Sequence, residues 1–284
     1  MARSICVCAP RRAGGFSVIE LGLVLLVVGL LIGAIVVPLA SRFEMRRFED
    51  TARILELAQD RLLGFASKYG YLPCPALEDT NGDEPAAANH ITGFCPDYFG
   101  YFPAAALGWS PVDAQGFALD AWGSAANRIR YAVASDAVGG VTNAFTRING
   151  VANAGASPVG AASFLRICGS GSGVNAGVDC GSAPTLAGNA AAVVWSVGPN
   201  ASTGGTNIHE AQNPNPQGGS KDKIFVSRTR EGGTGPEFDD VLRWIAAPTV
   251  VAKLTAAGMM TPTSSGSGGT GGGGGTYGTA YDND

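Results

Sequence analysis

The chain has 284 residues, and its 19 basic and 23 acidic side chains together only equal its 42 glycines. Glycine is thus about doubled and charge nearly halved relative to an average soluble domain. That excludes a coiled coil, a basic nucleic-acid-binding protein and an acidic disordered tail. An apolar content of 45% still permits a core, and the length permits one large domain or two small ones.

The net charge of −4 hides an asymmetry. The first fifteen residues hold Arg3, Arg11 and Arg12 and no acid, so the remainder is more acidic than the total suggests. A basic start and an acidic body suit a chain whose N-terminus stays cytoplasmic while the body crosses a membrane. From Leu21 to Ala40 no residue is charged, which matches the roughly 20 residues needed to span about 30 Å of hydrocarbon. Glu20 stands at the edge of this run. A carboxylate inside such a segment costs roughly 2.5–3.5 kcal/mol at mid-bilayer, so residues of this kind usually have a function and a partner.

A cleaved secretory signal fits poorly: the apolar run is long for one, and Pro38-Leu39-Ala40 is a poor small-x-small cleavage site. A plain anchor leaves Glu20 as an interfacial residue. A third reading accounts for more. Gly14-Gly15-Phe16-Ser17-Val18-Ile19-Glu20, after a basic leader and before a long apolar run, resembles the processing motif of type IV prepilins and type II secretion pseudopilins. The resemblance implies that a prepilin peptidase cleaves between Gly15 and Phe16 on the cytoplasmic face and methylates the new N-terminus. It also implies that Glu20 pairs with the amine of a neighbouring subunit during assembly. Glu20 lies four residues after Phe16, on the same helix face, and in the first turns, where the helix dipole favours an anion. A buried charge is tolerable when paired and costly when alone. Gly22, Gly29 and Gly33 suit close helix approach, and Pro38 removes a backbone bond.

Beyond Ala40, Phe43, Phe48, Ala52, Leu55, Ala58, Leu62, Phe65 and Tyr69 recur mostly at three- and four-residue spacing among many charges, an amphipathic helix. Gly70 and Pro73 end it. A continuous helix from Phe16 to Tyr69 would be on the order of 80 Å long. Short strands are expected over 128–133, 163–168, 192–197, 223–228 and 240–245, with the alternation of a half-buried antiparallel sheet. Pro248–Ala257 reads as a short helix, with Thr249 near its cap and Gly258 as its stop. Tyr71-Leu72-Pro73-Cys74-Pro75, Asp120-Ala121-Trp122-Gly123, Arg130-Tyr131-Ala132-Val133, Val194-Trp195-Ser196-Val197-Gly198-Pro199-Asn200 and Phe238-Asp239-Asp240-Val241 resemble, in order, segments of pseudopilin and minor-pilin heads. The long Ala/Gly-rich inserts over 139–162 and 169–188 depart from a minimal head. Thr261–Thr279 is almost only Gly, Ser and Thr, a composition that cannot form a core.

Cys6 and Cys8 fall in the leader. Cys74, Cys95, Cys168 and Cys180 form an even set for an oxidising compartment. Three pairings exist, and nearest neighbours, Cys74–Cys95 and Cys168–Cys180, are expected, each closing a loop of little hydrophobic content. Zinc lacks its ligands: there is no CxxC, and His90 and His209 are the two histidines. Two oxygen-rich clusters are candidates for calcium. Asp79, Asn81 and Asp83 alternate as at the start of an EF-hand loop, although Glu84 stands where that loop needs Gly, and a polar turn is the alternative. Glu237, Asp239 and Asp240 lie where the resemblance places acids of calcium-binding pseudopilin heads. No catalytic constellation is found, so no enzymatic activity is expected.

The expectation is an α+β, pilin-like fold, with a long N-terminal transmembrane and amphipathic helix packed on an antiparallel β-sheet head with long loops. Its parts are a leader (1–15), a transmembrane or filament-core helix (16–40), an amphipathic helix (41–70), a periplasmic β-rich head (71–260) and a disordered tail (261–284). The expected function is that of a minor pilin or pseudopilin, a structural subunit of a type IV pilus-like filament or a type II secretion pseudopilus. The expected partners are prepilin peptidase, other such subunits and, before assembly, the inner membrane, with no nucleic acid. The expected location is the bacterial inner membrane, single-pass with the N-terminus inside and the head periplasmic. The rival reading is a membrane-anchored adhesin, whose long loops carry recognition.

Overall fold

The computed structural model describes residues 15, 17–155, 164–202, 207–213, 222–229 and 238–260, with the backbone alone for 34–41. Its first element, α1, runs Val18–Tyr69 over 52 residues, about 78 Å at 1.5 Å per residue. Ser17 begins it with a capping box. Its hydroxyl accepts the Ile19 N–H at 3.3 Å, and the Glu20 carboxylate accepts the Ser17 N–H at 3.0 Å. Two donors that a helix start leaves unpaired are thereby satisfied. Gly70 ends the helix in the left-handed region at φ 82°, its N–H bonded to the Ala66 carbonyl.

Among the described residues, the second half of α1 is the part covered by the rest of the chain. Thr51, Leu55, Ala58, Leu62 and Ala66 are fully buried, three or four residues apart as one helix face requires. Thr51 Oγ1 accepts the Ala121 N–H at 3.2 Å, and Gln59 Nε2 donates to the Trp244 carbonyl at 3.1 Å. Phe43 and Tyr69, at the ends of the expected stripe, stay exposed.

The first half does not meet the expectation of a membrane span. Among the described residues, no helix is long and apolar enough to cross a membrane. Glu20 places a charge in the first turn of α1, and a carboxylate there is costly to bury in hydrocarbon. The expected inner-membrane, single-pass placement is overturned on this ground. The expected pilin-like, membrane-spanning fold is corrected with it, to an α+β fold.

The sheet needs a second correction. Its strands are β1 (Phe99–Tyr101), β2 (Arg130–Val133), β3 (Leu165–Cys168), β4 (Thr185–Ser196), β5 (Ile224–Val226) and β6 (Val241–Ala246). The order is β1-β2-β4-β3-β5, with β6 also paired to β4. All pairs are antiparallel except β3 with β5, so the sheet is mixed rather than antiparallel. β4 returns along one edge of β3. The chain re-enters on the other edge in the opposite sense to β4, and hence parallel to β3.

β4 organises the layer. Its first residues pair with β3, and its last lie between β2 and β6. α1 packs on β6, β4 and the helix α3 (Ala247–Ala256). Trp195 of β4, Tyr131 of β2, Phe225 of β5 and Phe102 are fully buried in the resulting core with Leu55 and Leu62. A five-residue helix, α2 (Gly150–Ala154), belongs to the connection before β3. α3 starts on Ala246 with Pro248 in its first turn and no side-chain cap, so Thr249 does not cap it. Both expected disulfides form, Cys74–Cys95 and Cys168–Cys180, each with 5.6 Å between Cα atoms. The first closes a loop pinned by two glycines in the left-handed region, Gly82 and Gly116. A Cβ on Gly82 would sit 2.0 Å from the Gly116 carbonyl oxygen.

Candidate functional site

Two places gather the residues that the sequence points to. One is the start of α1. Gly15 is exposed and has open space around its Cα, and Ser17 and Glu20 are joined in the capping box two residues later. Phe16 lies outside the described residues. Among the described residues, Ser17 and Glu20 supply the cap of the helix that starts at Val18. Downstream of the cap, the large apolar residues from Val18 to Ile32 are 42–85% exposed. Such a continuous apolar surface marks an interaction site.

The other place is a buried acidic cluster where the loop before β6 meets the loops after β4. Glu210, Asp239 and Asp240 are all buried, and one carboxylate oxygen from each lies within 4.8 Å of the others. Asn207 positions Glu210, since its side-chain oxygen accepts the backbone N–H of His209 and Glu210. Glu210 Oε1 accepts the Asp239 N–H at 2.9 Å, and its Oε2 accepts from Asn200 Nδ2 at 3.1 Å. Asp240 Oδ2 accepts from Asn213 Nδ2 at 2.5 Å. The same Asn213 amide pairs with both backbone groups of Val226, so it also blunts the outer edge of β5. Gly198 lets the β4 exit pass close by: a Cβ there would lie 2.6 Å from both the carbonyl oxygen and Oδ1 of Asp239.

Behind the cluster sit Asp120 and the fully buried Arg130. Asp120 accepts from Ser196 Oγ at 2.5 Å and from Asn127 Nδ2 at 3.2 Å. Burial raises its pKa despite those bonds. Burial likewise lowers that of Arg130, against the fields of Tyr101, Asp240 and Asp120. Asp240 is pushed up to about 7, first by burial and then by the charge of Glu210, while the Asn213 bond and Arg130 oppose the rise. The Arg130 guanidinium thus lies in the field of two of these carboxylates, Asp240 and Asp120. The donors at Glu210, Asp239 and Asp240 are all oxygens, the set that suits a hard cation such as calcium.

Asp239 and Asp240 are thus brought together as expected, but their described companion is Glu210 rather than Glu237, which lies outside the described residues. Glu210 is almost thirty residues away in a polar loop, with no spacing signal to find it by. Asp79, Asn81 and Asp83 form a turn instead. Asn81 is left-handed at φ 52°, and Asp83 Oδ1 accepts the next backbone N–H, that of Glu84. Among the described residues, Asp79 and Asp83 do not converge with a third acid. Cys74, Glu84 and His90 also converge, but the sulfur is committed to the disulfide. Compared with protein-family models, curated proteins and solved structures, the chain has no match.

Proposed function

We propose that the chain is a structural subunit of a type IV pilus-like filament or type II secretion pseudopilus, matured by a prepilin peptidase after Gly15 and assembled through α1. The observation that carries this reading is the exposed apolar surface of Val18–Ile32 in α1, directly after the processing motif. Apolar surface gains about 25 cal/mol for each Å² removed from water, so copies of this helix have a strong drive to pack together. Glu20 sets the register. Within a packed bundle its carboxylate loses water and needs a cation, since removing one partner from a buried pair costs about 3–5 kcal/mol. The new amine at Phe16 is the group that cleavage creates within one turn of it. The head, with its two disulfides and buried polar network, is the cargo of this helix and faces outward.

The test is incorporation. Glu20→Ala is expected to leave the head folded and the leader removed, yet to lower the amount of subunit recovered in sheared filaments at least tenfold (about 1.4 kcal/mol in assembly). Recovery at the wild-type level would overturn the role given to Glu20.

A further inference from the structure

The first disulfide loop holds a histidine used by neither the processing motif nor the acidic cluster. His90 Nδ1 lies 2.9 Å from the Thr146 carbonyl oxygen, and its Nε2 lies 3.0 Å from Glu84 Oε1. The side chains of His90 and Glu84 are only 16% and 18% exposed. Both partners are acceptors, so both ring nitrogens must donate, and only the imidazolium carries two N–H groups. The same Glu84 oxygen accepts the Cys74 backbone N–H at 2.5 Å. The Tyr71 ring stacks on the imidazole with centroids 4.2 Å apart, a position that favours a cation. Other titratable and charged groups near the pair are Tyr71 and the fully buried Tyr131, which both feel the Glu84 charge, Asp83, which accepts the Glu84 N–H, and Arg147, next to Thr146 in sequence.

We propose that His90 is a pH-sensitive clamp: as the imidazolium it holds residues 83–88, the second half of the arm 79–88, against the head through Glu84, and on losing its proton it loosens that segment. Glu84 lines a cleft of about 510 Å³ with Leu77, Asp79, Thr80, Pro85 and Pro96, so opening the arm reshapes this cleft. A neutral imidazole cannot serve both acceptors. Either tautomer leaves one ring lone pair facing an oxygen lone pair. The base and tip of the loop stay attached at any pH, by the Cys74–Cys95 disulfide, by Thr146 Oγ1 donating to the Gly93 carbonyl and by the Ile148 N–H donating to the His90 carbonyl. The start of the arm stays attached too, because Gly82 packs on Gly116 and its carbonyl accepts the Ala105 N–H, so the change is confined to residues 83–88.

Burial opposes the charge on His90, but its bonds to Glu84 and Thr146 outweigh it and raise the pKa above 6.5. A raised histidine stabilises the closed arm fully below 6.5 and loses that contribution as pH rises through the folded value. The test uses the full chain, whose two histidines make an imidazole NMR titration simple to assign. His90 is expected to titrate with a midpoint above 6.5. Amide exchange protection over 83–88, corrected for intrinsic rates, is expected to fall severalfold between about pH 5.5 and about pH 8.5. In His90→Gln, which folds around the same disulfide but cannot titrate, protection should be equal at the two pH values. A midpoint at or below 6.5, unchanged protection in the parent chain, or the same fall in His90→Gln would each overturn the clamp.

Discussion

Asp240 shows how a buried carboxylate ties the head to pH and to cations. Its pKa of about 7 in the folded chain stands above the unfolded 3.8, so between these values the folded state holds a proton that the unfolded state has lost. Stability should therefore fall as pH rises from about 4 to about 7. A divalent cation would displace that proton, so calcium should raise the melting temperature more at about pH 8 than at about pH 5. Glu210→Gln removes one charge and one strong ligand. It should abolish the calcium-induced rise while raising the metal-free melting temperature at high pH, because Asp240 then ionises beside one acid fewer. Calorimetry of the two proteins with and without calcium checks both signs. Half of this centre was legible in advance: Asp239 and Asp240 are adjacent acids at the start of a strand. Glu210 was not, because folding brings it there through Asn207 and Asn213, and long-range convergence leaves no trace in local spacing.

Elements with a strong period were the easiest to anticipate. The long helix, its stop at Gly70 and five of six strands follow from apolar spacing, turn residues and β-branched runs. β1 is too short to signal itself. The first residues of β4, Thr185–Asn189, are exposed or half-exposed and lie in an Ala/Gly-rich stretch, so they show neither alternation nor strand preference. The parallel pairing of β5 could not be anticipated because strand order is a property of the whole sheet. Within α1 the two halves should respond differently to substitution. Leu62→Ala, at a fully buried position, should cost about 2–5 kcal/mol in chemical denaturation. Ser17→Ala removes the cap and should cost about 0.5–2 kcal/mol of local helix stability. That loss should be seen as faster amide exchange over the first turn, with no shift in the melting of the head.

Taken whole, the described molecule is a folded head on a long helix whose large apolar residues from Val18 to Ile32 are exposed. An apolar surface such as that of Val18–Ile32 is a liability for an isolated chain and an asset for an assembling one. Leu26→Asp, at a position 60% exposed, should leave head stability unchanged and eliminate sedimenting assemblies. If the head melted earlier, that half of α1 would be part of the fold and not a free interface. The composition of the chain also divides along these lines. Scarce charge and positive hydropathy owe much to the first half of α1, and abundant glycine owes much to loops such as those pinned at Gly82, Gly116 and Gly198. On the proposed function, residues 1–15 are removed so that the new amine at Phe16 can pair with Glu20. The most direct measurement is the N-terminal sequence and mass of the protein recovered from cells that contain a prepilin peptidase. A chain that begins at Phe16 with an N-methyl group is expected. A chain that begins after Ala40, or one that keeps Met1 in the presence of active peptidase, would contradict it.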